Sequence, residues 1–222
     1  RICPGPKREL VIITFLRGNF MATEPLLWLP GTSSRALGKM LKHKIDLNYL
    51  RPSRLDIEAQ KAIIISKRCT CLFYEVGATI FHVRDKNFYH LSDGYNGAAK
   101  GDVDPRIAGC ARIVSGELKE GGGLCRGSHA ELNAIGNCTT DTSLYEDVRM
   151  MVTLHPCNVC AKQIVNRSIR TVYYVWEYGR DEETVDYFKR MGVTVEKYTS
   201  PFLENWIKIN SYDPEGLKRG AC

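Results

Sequence analysis

The chain has 222 residues, of which 44% are apolar and 25% charged, and 31 Lys and Arg outweigh 25 Asp and Glu to give a formal net charge of +6. That is the composition of a soluble globular domain with an extension, and no apolar run approaches the length of a membrane span. The mild positive excess suits an anionic substrate but falls short of the concentrated basic face expected of a nucleic-acid binder.

Nine cysteines, an odd number, and the lack of a signal peptide point to a reduced, cytoplasmic setting. There, cysteines serve as metal ligands or small buried hydrophobes more often than as disulfides. The sequence opens at Arg1 without a methionine, so it reads as a fragment or a processed form.

Along the chain, residues 10–15 (LVIITF) read as a short buried strand and 28–34 as a loop broken by Pro30 and Gly31. Residues 31–39 have the wrong spacing for a phosphate loop, and Met40 stands where Ser or Thr would hold magnesium. A helix capped by Ser33 or Ser34 and running through Lys44 is the plainer reading. Pro52-Ser53 opens the next helix, with Ser53 as N-cap and Asp56 three residues on. Leu55, Ala59, Ala62 and Ile63 give that helix a core-facing stripe.

Residues 76–83 and 88–91 predict two strands joined by a polar turn at Asp85-Lys86-Asn87. Residues 94–127 predict a long irregular connection, of the kind that serves as a lid or binding loop. After it the pattern alternates: a helix from His129, a strand over Val148–Leu154, a helix from Cys157, and a strand over Thr171–Trp176. A helix over 181–191 and a strand over 194–198 complete the series. Strands alternating with helices imply parallel crossovers in an α/β layered sandwich, whose ligand residues lie at strand ends and helix N-termini. Residues 201–222 read as a tail that Trp206 and Ile207 could dock on the core.

The chemistry concentrates in Ser128-His129-Ala130-Glu131 and Pro156-Cys157-Asn158-Val159-Cys160. Residues three apart on a helix share a face, so Cys157 and Cys160 project together. With His129 they make three protein ligands for tetrahedral Zn²⁺, leaving a fourth position for water. Glu131 is then a carboxylate beside that water and not a ligand. H-x-E with P-C-x-x-C is the pattern of the zinc-dependent nucleobase deaminases. A structural zinc site would want a fourth Cys or His at matched spacing, and none lies beside His129. His155 either lines the base pocket or is merely structural. Lys100, Arg106, Arg112 and Arg126 could meet a phosphate, or form a solvated basic loop.

Further pieces fall in order around these motifs: Val76-Gly77-Ala78, Gly94-Tyr95-Asn96-Gly97, and the extensions of the metal motifs through Ile135 and Lys162. With them the chain resembles the deoxycytidylate (dCMP) deaminase family of the cytidine deaminase superfamily over about residues 53–200. Riboflavin-pathway deaminases are similar in His-Ala-Glu but separate their cysteines widely. Adenosine deaminases acting on transfer RNA lack the Gly-Tyr-Asn-Gly piece.

The resemblance implies a three-layer sandwich, a central mixed sheet of about five strands flanked by helices. It implies zinc on His129, Cys157 and Cys160, proton transfer by Glu131, and substrate binding by Tyr95, Asn96, Gly97 and Ala130, with Asn96 at the sugar. Hydrolysis of dCMP to dUMP and ammonia, supplying thymidylate synthesis, is the implied reaction. Activation by dCTP with Mg²⁺, dTTP as a second effector and a homo-oligomer such as a hexamer also follow from it. Ala99 replaces the family's proline after the Gly-Tyr-Asn-Gly piece, which bears on regulation. Some phage-type members resemble having a second zinc, for which Cys69, Cys71, Cys110 and Cys125 are the candidates here. Residues 1–52 form an extension of unknown role, 53–200 the deaminase domain and 201–222 the tail. Deamination of a base in RNA or single-stranded DNA, and a catalytically silent zinc-stabilised regulatory module, are the alternative readings.

Overall fold

A computed structural model describes residues 51–114, 117–118, 124–177 and 182–210. The expected strand at 10–15 and the helix through Lys44 lie outside the described residues. Helix α1 (Arg54–Ser66) begins where the sequence places it, with Ser53 as N-cap. The Ser53 hydroxyl accepts from the Asp56 amide at 3.0 Å and the Asp56 carboxylate accepts from the Ser53 amide at 2.7 Å, a reciprocal capping box.

Strands β1 (Gly77–Arg84) and β2 (Asn87–Tyr95) form an antiparallel hairpin, turned by Asp85 and Lys86 at φ 50° and 63°. A short strand β3 (Gly97–Ala98) follows, then a helical turn α2 (Pro105–Ala108) and the small ladder of β4 (Ile113–Val114) and β5 (Glu117–Leu118). Strand β6 (Gly127–Ser128) pairs with β3 and leads into helix α3 (Ala130–Asn137). The remainder alternates as expected: β7 (Val148–Leu154), α4 (Asn158–Asn166), β8 (Thr171–Trp176), α5 (Glu182–Arg190), β9 (Thr194–Lys197) and α6 (Pro201–Ile209).

The main sheet has five strands in the order β2-β1-β7-β8-β9. The β1 strand is antiparallel to both neighbours, and β7, β8 and β9 are parallel through the α4 and α5 crossovers. The sheet is covered on both faces, and its side chains sort by the period of two that a pleated strand imposes. Ile80, Met150, Val152, Val172 and Tyr174 pack with Ala130, Ala134, Ala161, Ile164 and Phe188 from α3, α4 and α5. Phe81, Met151, Tyr173 and Val175 pack on the other face with Ala59, Ala62 and Ile63 of α1 and Leu203 of α6. The result is the expected three-layer α/β sandwich with a mixed five-stranded sheet.

Some expectations change. The β2 strand does not stop at Leu91 but continues through Tyr95, so Gly94 and Tyr95 are strand residues and not loop residues. Residues 94–127 are not wholly irregular either, since β3 and β6 close the connection at its base. The presumed tail opens as a helix, with Ser200 as its N-cap and Leu203 buried, and Trp206 and Ile207 pack on the core.

Asp56 ties this second helical layer together. Its Oδ1 accepts from the Tyr198 hydroxyl at 3.0 Å and from the Ser200 hydroxyl, joining the start of α1 to the cap of α6. Burial pushes its carboxyl up, but the hydrogen bonds from Ser200, Ser53 and Tyr198 prevail and hold it below the ordinary value. A depressed carboxylate contributes its full stability above the unfolded value near pH 4 and loses it as pH falls through the lowered folded value. Asp56→Ala should therefore destabilise the fold by about 1–2 kcal/mol at neutral pH, since it removes the acceptor shared by the part-buried Ser53, Tyr198 and Ser200 donors. Denaturant melts at pH 7 and pH 3 check this, and the gap between wild type and variant should narrow at the lower pH.

Candidate active site

Two helix N-termini meet below the ends of β6 and β7. His129 is the N-cap of α3 and Cys157 the N-cap of α4, both with extended backbone, and neither side chain caps its own helix. Their carbonyls accept the first helical bonds, from Asn133 at 3.0 Å and Ala161 at 2.9 Å, so the side chains are left to point at one another. The expectation placed these residues in the first helical turns; the structure sets each one position earlier. Proline at 156 fits the start of α4, where a missing N–H costs no helical bond.

His129 Nδ1 lies 3.4 Å from Cys157 Sγ and 3.3 Å from Cys160 Sγ. All three donor atoms lie within 4.8 Å of one another. Around a tetrahedral zinc with Zn–S near 2.3 Å and Zn–N near 2.05 Å, a nitrogen and a sulfur ligand stand about 3.6 Å apart. The donor set fits zinc in element type and spacing. Cys160 is wholly buried and Glu131, one helical residue beyond Ala130, is only 4% exposed.

The thiols behave as a coupled pair. The Cys157 sulfur, hydrogen-bonded first by Cys160 and then by His129, is lowered to about 3. The Cys160 thiol is pushed up, because it supplies that hydrogen bond and is buried. One proton is thus shared between two sulfurs, and a divalent ion would replace it. Helix N-termini add positive potential where the thiolate forms. Burial raises the Glu131 carboxyl to about 7, against the pull of its own backbone amide and of His129.

A cavity of about 160 Å³ opens over this cluster and is lined by His129, Ala130, Glu131, Cys157, Asn96 and Gly97 among others. Asn96 is buried, and its Oδ1 accepts from the Val76 amide at 2.8 Å while its Nδ2 donates to the Tyr74 carbonyl at 2.8 Å. The amide therefore stitches the segment before β1 to the end of β2. Tyr95 is not among the lining residues; its ring lies under the Arg68 guanidinium at 5.4 Å. Its carbonyl accepts from Asn133 Nδ2 at 2.7 Å, so its contribution is to hold α3 in place.

His155 lines the cavity and is buried, with its ring edge-on to Tyr174 at 4.9 Å. Of the basic residues considered for a phosphate, Arg112 lines the cavity; Lys100 and Arg126 are exposed and do not. Arg106 is held by Asp104 at 3.0 Å. The second metal group proposed for Cys69, Cys71, Cys110 and Cys125 is not assembled. Among the described residues only His129, Cys157 and Cys160 come together as a ligand group. Cys69 is buried with its thiol toward the Cys71 carbonyl, whereas Cys71, Cys110 and Cys125 line the cavity wall. The aromatic pair Phe73 and Tyr74 also lines the cavity. It escaped the sequence reading because nothing but its nearness to Val76-Gly77-Ala78 marks it.

Gly94 explains why the motif is what it is. A Cβ there would stand 2.2 Å from the Ala134 amide nitrogen and 2.4 Å from the Ala130 carbonyl oxygen. Glycine lets α3, which carries Glu131, press against β2.

The family model for the cytidine and deoxycytidylate deaminase zinc-binding region matches residues 57–176. ComE operon protein 2 of Bacillus subtilis is 36% identical over 134 residues, 60% of this chain and 65% of that protein, so the match spans just under two thirds of the relative. Deoxycytidylate deaminase of Mus musculus is 33% identical over 142 residues, 62% of this chain and 75% of that protein. The crystal structure of a dCMP deaminase from the cyanophage S-TIM5, in complex with dCMP and dUMP, superposes with a TM-score of 0.50. It is 24% identical and covers 68% of this chain and 100% of that one, a likeness of fold.

Metal analysis of protein purified without added metal should find about one zinc per chain, as a three-ligand site requires. Gly94→Ala should lower that content several-fold, because backbone of α3 cannot yield to the new methyl group. Gly136→Ala, within α3 itself and with nothing within 4 Å of the new Cβ, should keep full zinc and gain about 0.5–1 kcal/mol of stability. Equal zinc in both variants would show that the approach of α3 to β2 does not set the metal site.

Proposed function

We propose that this chain, which belongs to the cytidine and deoxycytidylate deaminase family, hydrolyses dCMP to dUMP and ammonia with a catalytic zinc. The observation that carries the reading is the buried Glu131 in one cavity with three converging metal donors. A structural zinc site has no use for such a carboxylate, which speaks against the silent regulatory module.

Zinc held by His129, Cys157 and Cys160 would supply Lewis acidity that brings the pKa of a water towards neutrality. Glu131 takes the proton of that water and passes it to N3 of cytosine, which makes C4 electrophilic. The water oxygen bonds to C4, and as the C4–N bond breaks the same carboxylate carries the remaining proton of that oxygen to the departing amine, leaving a C4 carbonyl and ammonia. One group thus acts as base and acid, a use suited to a carboxyl whose pKa burial has brought near neutrality. Asn96 is fixed through its bonds to Tyr74 and Val76 and has a second N–H to give to the sugar. Gly97 and the buried Ala130 line the cavity beside it, and glycine at 97 lets this strand lie against Thr70, whose Oγ1 a Cβ would meet at 2.5 Å.

The product would supply thymidylate synthesis. Activation by dCTP with Mg²⁺, opposition by dTTP and assembly as a homo-oligomer belong to the same reading. Their support is the likeness of Gly94-Tyr95-Asn96-Gly97 to the family piece. No helix among the described residues is long and apolar enough to cross a membrane.

Comparing kcat/KM for dCMP, CMP, deoxycytidine and a cytosine-containing single-stranded oligonucleotide tests the substrate. The best efficiency should belong to dCMP, and an oligonucleotide that matches it would move the reading to nucleic-acid deamination. Glu131→Gln should keep its zinc and lose turnover by roughly 10²–10⁴-fold or more. Near-wild-type turnover in that variant would remove the proton-transfer role from Glu131.

A further inference from the structure

We propose that Arg112 is the residue that reads the 5′-phosphate of the substrate and so separates nucleotide from nucleoside. The inference rests on the deaminase reading for its substrate class, and on the cavity for its residue.

The connection between β3 and β6 carries several cations, but the structure treats them differently. Arg106 has its Nε within 3.0 and 3.1 Å of the two carboxylate oxygens of Asp104, at the cap of α2. It is exposed, turned to Asp104 and absent from the cavity lining. Lys100 and Arg126 are exposed and stand apart from the cavity lining. Arg112 is half-buried and lines the same cavity as Glu131 and the metal donors, and among the described residues it is the lone Lys or Arg that does so. It sits on a bend closed by the Ile113 amide donating to the Cys110 carbonyl at 3.0 Å, and the β4–β5 ladder begins directly after it. The bend puts both Cys110 and Arg112 on the cavity wall.

Charge accounting gives this placement its consequence. Two thiolates, a neutral imidazole and a divalent ion sum to zero, so the metal group offers a phosphate no net attraction. Glu131 adds a negative charge whenever it is ionised. A phosphomonoester brings close to two further negative charges at neutral pH. Without a cation in the wall, such a cavity would favour the uncharged nucleoside over the nucleotide. A guanidinium meets phosphate with two parallel hydrogen bonds, and in a partly closed site these are stronger than on the surface. Binding energy from this unreacting end can serve the reacting one, so its loss shows in kcat/KM.

The test uses the zinc-loaded full chain, with Arg112→Gln and Arg112→Lys. Two readouts are needed: kcat/KM for dCMP and deoxycytidine, and calorimetric Kd for dUMP and deoxyuridine. Arg112→Gln should lower dCMP efficiency and dUMP affinity by roughly tenfold to a hundredfold, the range expected for lost charge-assisted bonds. Deoxycytidine and deoxyuridine should change by less than about twofold, and Arg112→Lys should recover part of the loss. If Arg112→Gln fails to fold, the lysine variant decides, through a selective or an equal loss. Equal losses on nucleotide and nucleoside, or none on dCMP, overturn the proposal. If wild type binds dUMP but turns over no cytosine substrate, the reaction reading fails, and a selective loss of dUMP affinity still supports Arg112. A wild-type chain that binds neither dUMP nor deoxyuridine overturns both.

Discussion

A nitrogen and two sulfurs drawn from separate helices must reach one point, and most of the described fold serves that requirement. His129 and Cys157 can meet only if the N-termini of α3 and α4 face each other at the same edge of the sheet. Parallel β7 and β8, bridged by α4, set one of these helices. The other is set from the opposite side, by β2. Gly94 gives α3 its close approach, and three side-chain bonds hold it there: Ser92 Oγ to the Ala134 carbonyl at 2.7 Å, Asn133 to the Tyr95 carbonyl and Asn137 to the Asp93 carbonyl. Ångström-level placement of a ligand thus rests on hydrogen bonds and packing two or three residues away from it.

The two faces of the sheet divide the labour. The α1 and α6 side holds itself with Asp56, Tyr198 and Ser200 and contributes no metal donor. The α3 and α4 side buries Ala130, Ala134, Cys160 and Ala161, small residues that let two short helices lie close to the strands and to each other. Between the faces, the Thr153 hydroxyl accepts from the Gly77 amide at 3.1 Å, fixing the start of β1 beside the end of β7. That junction positions Val76 and, through it, Asn96. The rigid face supports the face that binds.

Much of this was legible in residue order. Ser53 and Asp56 spell a capping box, the apolar strands after Val148 lie on a buried parallel sheet, and His129, Cys157 and Cys160 declare a donor set by spacing, with Glu131 beside it. The rest depended on packing that local sequence does not encode. Gly94 and Tyr95 look like a turn because glycine breaks local pattern, yet glycine there answers a helix lying on the strand. Asn96 reads as a ligand-binding amide, while its burial commits two of its polar bonds to backbone. Cys69, Cys71, Cys110 and Cys125 share a thiol chemistry that suggests one site, but the chain turns Cys69 inward and leaves the others along a wall. Docking of the tail through Trp206 and Ile207 was legible, but its helix was not, because Leu203, Trp206 and Ile207 make too short a stripe to mark one.

Burial of Glu131 is what links the fold to its chemistry. A carboxylate at 4% exposure loses most of its hydration, and an isolated one would be expensive to keep ionised. Its position at the start of α3, near the positive ends of two helix dipoles, moderates that cost without removing it. The outcome is a carboxyl raised to about 7 by burial, which suits the proton transfers proposed for it. Glu58, equally buried at 3%, shows the contrast in its partners: Lys61 donates to it at 2.7 Å and Thr79 at 3.3 Å. Of the three buried glutamates among the described residues, Glu58 and Glu75 are paired with Lys61 and Lys67, whereas Glu131 lines the cavity beside the His129, Cys157 and Cys160 group. The same distinction separates the stabilising layer of the sandwich from the reactive one.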